Sequence, residues 1–180
     1  MMNQYSISKL TLNEFENYDV KNVSNLKQFI KLFMSTHDVK VLNLNRWDVS
    51  NRTDLQGLFE YCKQLESIDI ENWDTSNVVN ISSMFCGCEN LVSINIFHNV
   101  SNVSNFSNLF YNCLNLKYIY NISSWDVCNG NLFLNMFYNC VILYELDISG
   151  WNIVQKHNLE HMFKNCPSEV FNMNALTHKD

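Results

Sequence analysis

The sequence predicts an α/β repeat, a solenoid of about six coils, each a short parallel β-strand plus a short helix, and two observations lead there. Phe59, Phe85, Phe110, Phe137 and Phe163 recur at intervals of 26, 25, 27 and 26 residues. Each is followed three positions later by a cysteine (Cys62, Cys88, Cys113, Cys140, Cys166), and Trp47, Trp73, His98, Trp125 and Trp151 stand twelve positions before. A self-similar period of this length marks supersecondary units that bury their apolar faces on one another, an arrangement met more often in binding scaffolds than in catalysts.

The chain divides into an N-terminal cap (1–17), the repeats (18–166) and a C-terminal cap and tail (167–180). A terminal unit has one neighbour and needs a polar or irregular cover, which Thr11-x-x-Glu14 begins as a capping box. The first unit is degenerate. Tyr18-Asp19 stands for Trp-Asp, and Val23, Leu26, Phe29, Ile30 and Phe33 fill the apolar positions, with Val39, Leu42 and Leu44 as the strand before Trp47. In the best-formed unit Val78, Ile81, Phe85 and Cys88 are spaced by three, four and three, which predicts one face of a short helix. Asn80, matched by Asn25, Asp54, Asn105 and Asn158, sits where a side-chain oxygen caps such a helix; Leu132 breaks the row. After the cysteine the period changes to two: Leu65-x-x-Ile68-x-Ile70, Leu91-x-x-Ile94-x-Ile96 and Leu143-x-x-Leu146-x-Ile148 read as half-buried strands. Strands joined by a crossover pair in parallel.

Composition narrows the function classes. With 180 residues, 47% of them hydrophobic, the chain supports one well-buried body, and Gly 4 with Pro 1 argues against a flexible hinge. A net charge of -6 offers no positive field to nucleic acid. Met1 to Val20 holds no apolar run of signal or membrane-spanning length, so a cytoplasmic protein without membrane insertion is the expectation. Seven cysteines are an odd number, and five of them share one repeat position, which reads as a small buried apolar residue in a reducing compartment.

The run Asn72-Trp73-Asp74-Thr75-Ser76-Asn77-Val78 through Met84-Phe85-x-x-Cys88-x-x-Leu91-x-x-Ile94 resembles the BspA-type leucine-rich-like repeat. That family occurs in bacterial surface proteins and mycoplasma lipoproteins, and similar tryptophan-repeat families occur in large DNA viruses. The resemblance spans roughly Tyr18 to Phe171 and implies a leucine-rich-repeat-like solenoid used for adhesion or host interaction. Two departures qualify it. No export signal or lipoprotein cysteine stands near Met1, which favours an intracellular member, in host cytoplasm if virus-encoded; His98-Asn99 and Trp151-Asn152 depart from Trp-Asp. The tryptophans match a slot that leucine-rich repeats turn inward, and so read as packing; the amide row Asn22, Asn51, Asn77, Asn102, Asn129 and Gln155 reads as turn architecture.

Chemistry has little to stand on. Cys86-x-Cys88 borrows one member from the structural column, and His157 and His161 lack the glutamate and third ligand of a zinc helix. No Gly-rich phosphate loop or G-x-S-x-G elbow is present, so no catalytic residue, metal or cofactor is expected. Variation between units falls on the outward strand positions: Glu66, Asp69, Glu71, Asn95, Phe97, Tyr118, Tyr120, Tyr144, Glu145 and Asp147. Tyrosines among carboxylates suit a protein partner of basic character, bound by a monomer. A surface or secreted BspA-like adhesin is the alternative that the resemblance supplies.

Overall fold

The computed structural model describes residues 4–144, 146–154 and 159–168. Three helices, α1 (Gln4–Ile7), α2 (Leu12–Glu16) and α3 (Leu26–Thr36), precede four strands, β1 (Val41–Asn43), β2 (Ser67–Asp69), β3 (Ser93–Asn95) and β4 (Tyr118–Tyr120). The strands form one parallel sheet in the order β1-β2-β3-β4. Register follows the repeat: Leu42 lies opposite Ile68, Ile68 opposite Ile94, and Ile94 opposite Ile119. Their flanking residues point outward, as the period of two requires. The extra residue before Trp125 is absorbed by a 3-10 turn at Ile122–Ser124, entered through Asn121 at φ 71°.

The capping box at the start of α2 forms as predicted, with the Thr11 hydroxyl accepting from Glu14 N and the Glu14 carboxylate accepting from Thr11 N. It positions Phe15, which is fully buried and stacks on Phe33 of α3 at 3.8 Å between ring centroids. Phe15 also lends its carbonyl to the Trp47 indole N–H (3.1 Å), while Glu16 accepts from Asn43 N at the edge of β1 (2.7 Å). These contacts cover the open side of the first repeat.

Among the described residues the short helix expected in every unit forms only in the first. From the second unit onward the corresponding segment is a succession of turns, and two backbone features explain why. Two residues per unit, one on either side of the phenylalanine, adopt positive φ: Gly57 and Tyr61, Ser83 and Gly87, Asn108 and Asn112, Asn135 and Asn139, His161 and Asn165. A left-handed residue every four positions ends any α-helix. Alternate N–H groups then leave the segment altogether. Ile81, Ser83, Phe85 and Gly87 donate to Asn105, Ser107, Leu109 and Tyr111 of the next unit (2.8–3.1 Å), while Met84, Cys86 and Cys88 donate three residues back within the turns. Unit one has Gln28 and Leu32 at the two left-handed positions, neither suited to positive φ, and there α3 continues, capped by Asn25 accepting from Gln28 N (2.9 Å). Asp54, Asn80 and Asn105, expected as helix caps, instead accept from the N–H two residues on and start the turns.

Side-chain columns run beside this backbone ladder. Each tryptophan is buried and donates its indole N–H to a carbonyl of the preceding unit: Trp73 to Leu44, Trp125 to Phe97, Trp151 to Ile122. The phenylalanines stack at 5.2–5.6 Å from Phe59 through Phe163. Buried cysteine thiols donate to phenylalanine carbonyls of the unit before, as Cys88 does to Phe59 (3.1 Å) and Cys140 to Phe110 (3.2 Å). Burial pushes the thiols of Cys88, Cys113 and Cys140 upward, which keeps the proton these bonds need. Amides of Asn51, Asn77, Asn102 and Asn129 donate to carbonyls one unit back (2.7–2.9 Å), so these four members of the expected row are architectural; Gln155 lies outside the described residues, as does Asn158 of the capping row. Three further rungs, Asn135 to Asn108, Asn139 to Asn112 and Asn165 to Asn139, join the left-handed positions themselves (3.2, 2.7 and 2.6 Å).

Asn139 therefore supplies both a tolerated positive φ and two amide bonds. Asn139→Ala should destabilise the protein by about 2 kcal/mol, and Asn139→Gly by less because it restores only the backbone freedom. Urea unfolding monitored by tryptophan fluorescence measures both; equal losses would show that φ contributes nothing.

Candidate binding face on the strand side

Of the outward positions expected to carry recognition, Asp69, Asn95, Tyr118, Tyr120 and Tyr144 lie together on the sheet, and two others are exceptions. Across the sheet Ser67 pairs with Ser93 and Ser93 with Tyr118, while Asp69 pairs with Asn95 and Asn95 with Tyr120. Tyr144 extends the row, because its N–H donates to Lys117 O (3.0 Å) as a further strand would. Tyr118 and Tyr120 lie nearly parallel with centroids 6.1 Å apart, and Tyr144 meets Tyr118 edge-on at 6.3 Å. Their exposures of 38%, 51% and 56% are high for aromatic side chains. Val41 and Val92 add exposed apolar surface.

The first exception is Phe97, which is not on the face. It is fully buried, and its ring stacks on Trp125 at 6.0 Å and 11°. His98 leaves the fourth unit without a tryptophan, and the adjacent phenylalanine fills that aromatic slot while His98 turns outward. The second is Glu145, which lies outside the described residues.

The acids are engaged by the protein itself. Glu66 pairs with Lys40 (2.8 Å) and Glu71 with His98 (3.2 Å). Asp69 accepts from Glu71 N (3.3 Å), and Asp147 accepts from both N and Oγ of Ser149 (3.0 and 2.7 Å), bonds that hold the Asp147 carboxyl below its ordinary value. Aspartates on the next corner repeat the motif: Asp48 with Ser50, Asp74 with Ser76, Asp126 with Cys128. All three carboxyls are lowered, Asp48 first by Lys21 and Asp74 first by the Ser76 hydroxyl, whereas for Asp126 the backbone N–H of Cys128 leads.

Among the described residues no group of three or more His, Cys, Asp or Glu side chains is placed to hold a metal ion. Cys86 and Cys88 are buried and free, His161 lies 3.7 Å from Glu160, and His157 falls outside the described residues. A second aromatic group escaped the sequence reading. On the turn side Tyr111 stacks on Tyr138 at 5.0 Å, and the Lys164 ammonium lies 5.7 Å above the Tyr138 ring. Its signal was visible, since all three follow the repeat phenylalanine or its equivalent by one position.

A parallel four-stranded sheet with few helices, built from a repeated unit, defines the class of protein. The family model described as "Mycoplasma protein of unknown function, DUF285" matches residues 1–117 and 92–178, and the chain belongs to that family. No curated protein and no solved structure matches it. Among the described residues no helix is long and apolar enough to cross a membrane.

The lowered aspartates predict an acid-side loss of stability. A carboxyl with a depressed folded pKa stabilises the fold above its unfolded value, near 3.8, and that contribution disappears as pH falls through the folded value. Urea midpoints should hold steady from pH 7 to 5 and fall below about pH 4. Asn99 already makes the same turn with Ser101 (3.1 Å), so replacing Asp48, Asp74, Asp126 and Asp147 by Asn should flatten the acid limb; an unchanged limb would assign it elsewhere.

Proposed function

We propose that the chain is a leucine-rich-repeat-like solenoid of about six coils, of the BspA-like type, serving as a non-enzymatic scaffold that binds a protein partner through its strand face. The observation carrying this reading is the tyrosine cluster of Tyr118, Tyr120 and Tyr144, exposed on a surface whose neighbouring aromatics are buried in the columns. Exposed, mutually braced tyrosines give a partner apolar contact area at little entropic cost. Asn95 and the half-exposed acids form a polar surround, and Glu66 and Glu71 become available to a basic partner that displaces Lys40 and His98. The protein acts as a monomer in a reducing cytoplasm, the host's if virus-encoded; seven unpaired thiols support the compartment. No metal or cofactor enters this function.

Asp69 and Asp147 brace turns, so charge reversal there would mix binding with folding. The cleaner variant joins Tyr118→Ala, Tyr120→Ser and Tyr144→Ser. Affinity capture from source-cell extract, followed by titration of the partner recovered, should show at least a tenfold weaker complex with an unchanged unfolding midpoint, about 1.4 kcal/mol of binding. Unchanged affinity in the folded variant would remove the strand face from the function.

A further inference from the structure

The turn-side ladder has a beginning, and its beginning is unpaired. In every trans peptide the C=O points opposite to the N–H that follows it. The N–H groups of Leu55, Gly57, Phe59 and Tyr61 reach forward to the third unit, so the carbonyls of Asp54, Gln56, Leu58 and Glu60 point back toward α3. The corresponding carbonyls of later units all accept: Asn80, Ser82, Met84 and Cys86 from the second unit, and Asn105, Ser107, Leu109 and Tyr111 from the third. Those of the second unit receive no hydrogen bond among the described residues. A helix has no lateral N–H groups to offer, since its own ladder uses them. Where α3 replaces the stacked turns, it leaves a row of acceptors without donors.

The space in front of that row is open. A cavity of about 440 Å³ lies between α3 and the second unit, lined by Lys27, Lys31 and Met34 on one side and by Leu58, Glu60 and Lys63 on the other. A second, of about 190 Å³, continues the seam past Lys27 to Arg52 and Gln56. Lys27 crosses between them to Glu60 (2.8 Å). Arg52 gives two bonds from Nη2 to the carbonyls of Val20 and Val23, yet its buried Nε has no partner. Lys31 has no ion pair among the described residues, and Lys63 pairs outside the seam with Glu89 (2.7 Å). In a chain of net charge -6 the seam gathers four cations, Lys27, Lys31, Arg52 and Lys63, against two carboxylates, Glu60 and Asp54.

We propose that this seam captures an extended, acidic peptide segment of a partner protein, whose alternate N–H groups pair with the carbonyls of Gln56, Leu58 and Glu60 and whose carboxylates meet Lys27 and Lys31. The carbonyl row specifies a backbone that turns alternate N–H groups to one side, which an extended peptide does without the left-handed residues that the turns need. Lys31, which has no ion pair among the described residues, and Lys27, whose bond to Glu60 an incoming carboxylate would replace, specify the charge. The surface is separate from the strand face and does not depend on it.

The test uses the fluorescein-labelled octapeptide of four Val-Glu repeats, its Val-Lys counterpart, and two twins of the acidic peptide N-methylated at alternate amides in either register. Fluorescence anisotropy should show the acidic peptide binding at least tenfold more tightly than the basic one, with one methylated twin weakened tenfold and the other much less. Lys31→Glu, an exposed change that leaves α3 intact, should weaken binding tenfold, while the tyrosine triple variant should not. No acidic binding at millimolar concentration, or equal binding by both twins and the parent, overturns the proposal. So does a dimer in sedimentation that protects the Gly57 and Leu58 region, for then a second copy fills the seam.

Discussion

One constraint orders the molecule: on the turn side, alternate peptide groups of each unit must point along the stacking direction so that their N–H groups meet the carbonyls of the next unit. Ser83, Phe85 and Gly87 satisfy it toward Ser107, Leu109 and Tyr111, and the same three positions repeat it one unit later. Only a backbone that crosses into left-handed space twice per unit can present its peptides this way while remaining within the turn. That requirement fixes Asn or Gly at most of those places and sets the spacing of the phenylalanine between them. The other columns follow. Once units are held a strand's width apart, flat rings stack, indoles and thiols reach back one unit, and asparagines form rungs like those of a steric zipper.

Much of this was readable in the residues. The period, the parallel strands with Leu42, Ile68 and Ile94 inward and the amide row follow from spacing, and the buried tryptophans from the slot that the repeat resemblance gives them. The helix did not. Val78, Ile81, Phe85 and Cys88 mimic a helical stripe because a run of tight turns also returns to the same side every three or four residues. The discriminating signal was the Gly and Asn content two positions either side of the phenylalanine, in Gly57, Gly87, Asn108, Asn112, Asn135 and Asn139. Periodicity weighs apolar residues and ignores these.

The face was legible in outline and misjudged in detail. Alternation placed Tyr118, Tyr120, Asp69 and Asn95 correctly outward, since a strand's period is strict. It failed at Phe97, which lies beyond the end of β3 and is drawn inward by the vacancy that His98 leaves in the aromatic column. Sequence spacing also could not show that Asp69 and Asp147 spend their carboxylates on their own turns. The unpaired carbonyls before Leu55, Gly57, Phe59 and Tyr61 were invisible for a related reason, because they arise only when a helix is set against the first stacked turn.

Native-state hydrogen exchange followed residue by residue in NMR tests the ladder most directly. If alternate peptides join the units, the amides of Ser83, Phe85, Gly87, Asn108, Phe110 and Asn112 will exchange only through global unfolding, with free energies matching the denaturant value. Exchange of those amides at the rate of exposed turns, while the strand amides of β2 and β3 stay protected, would contradict the account.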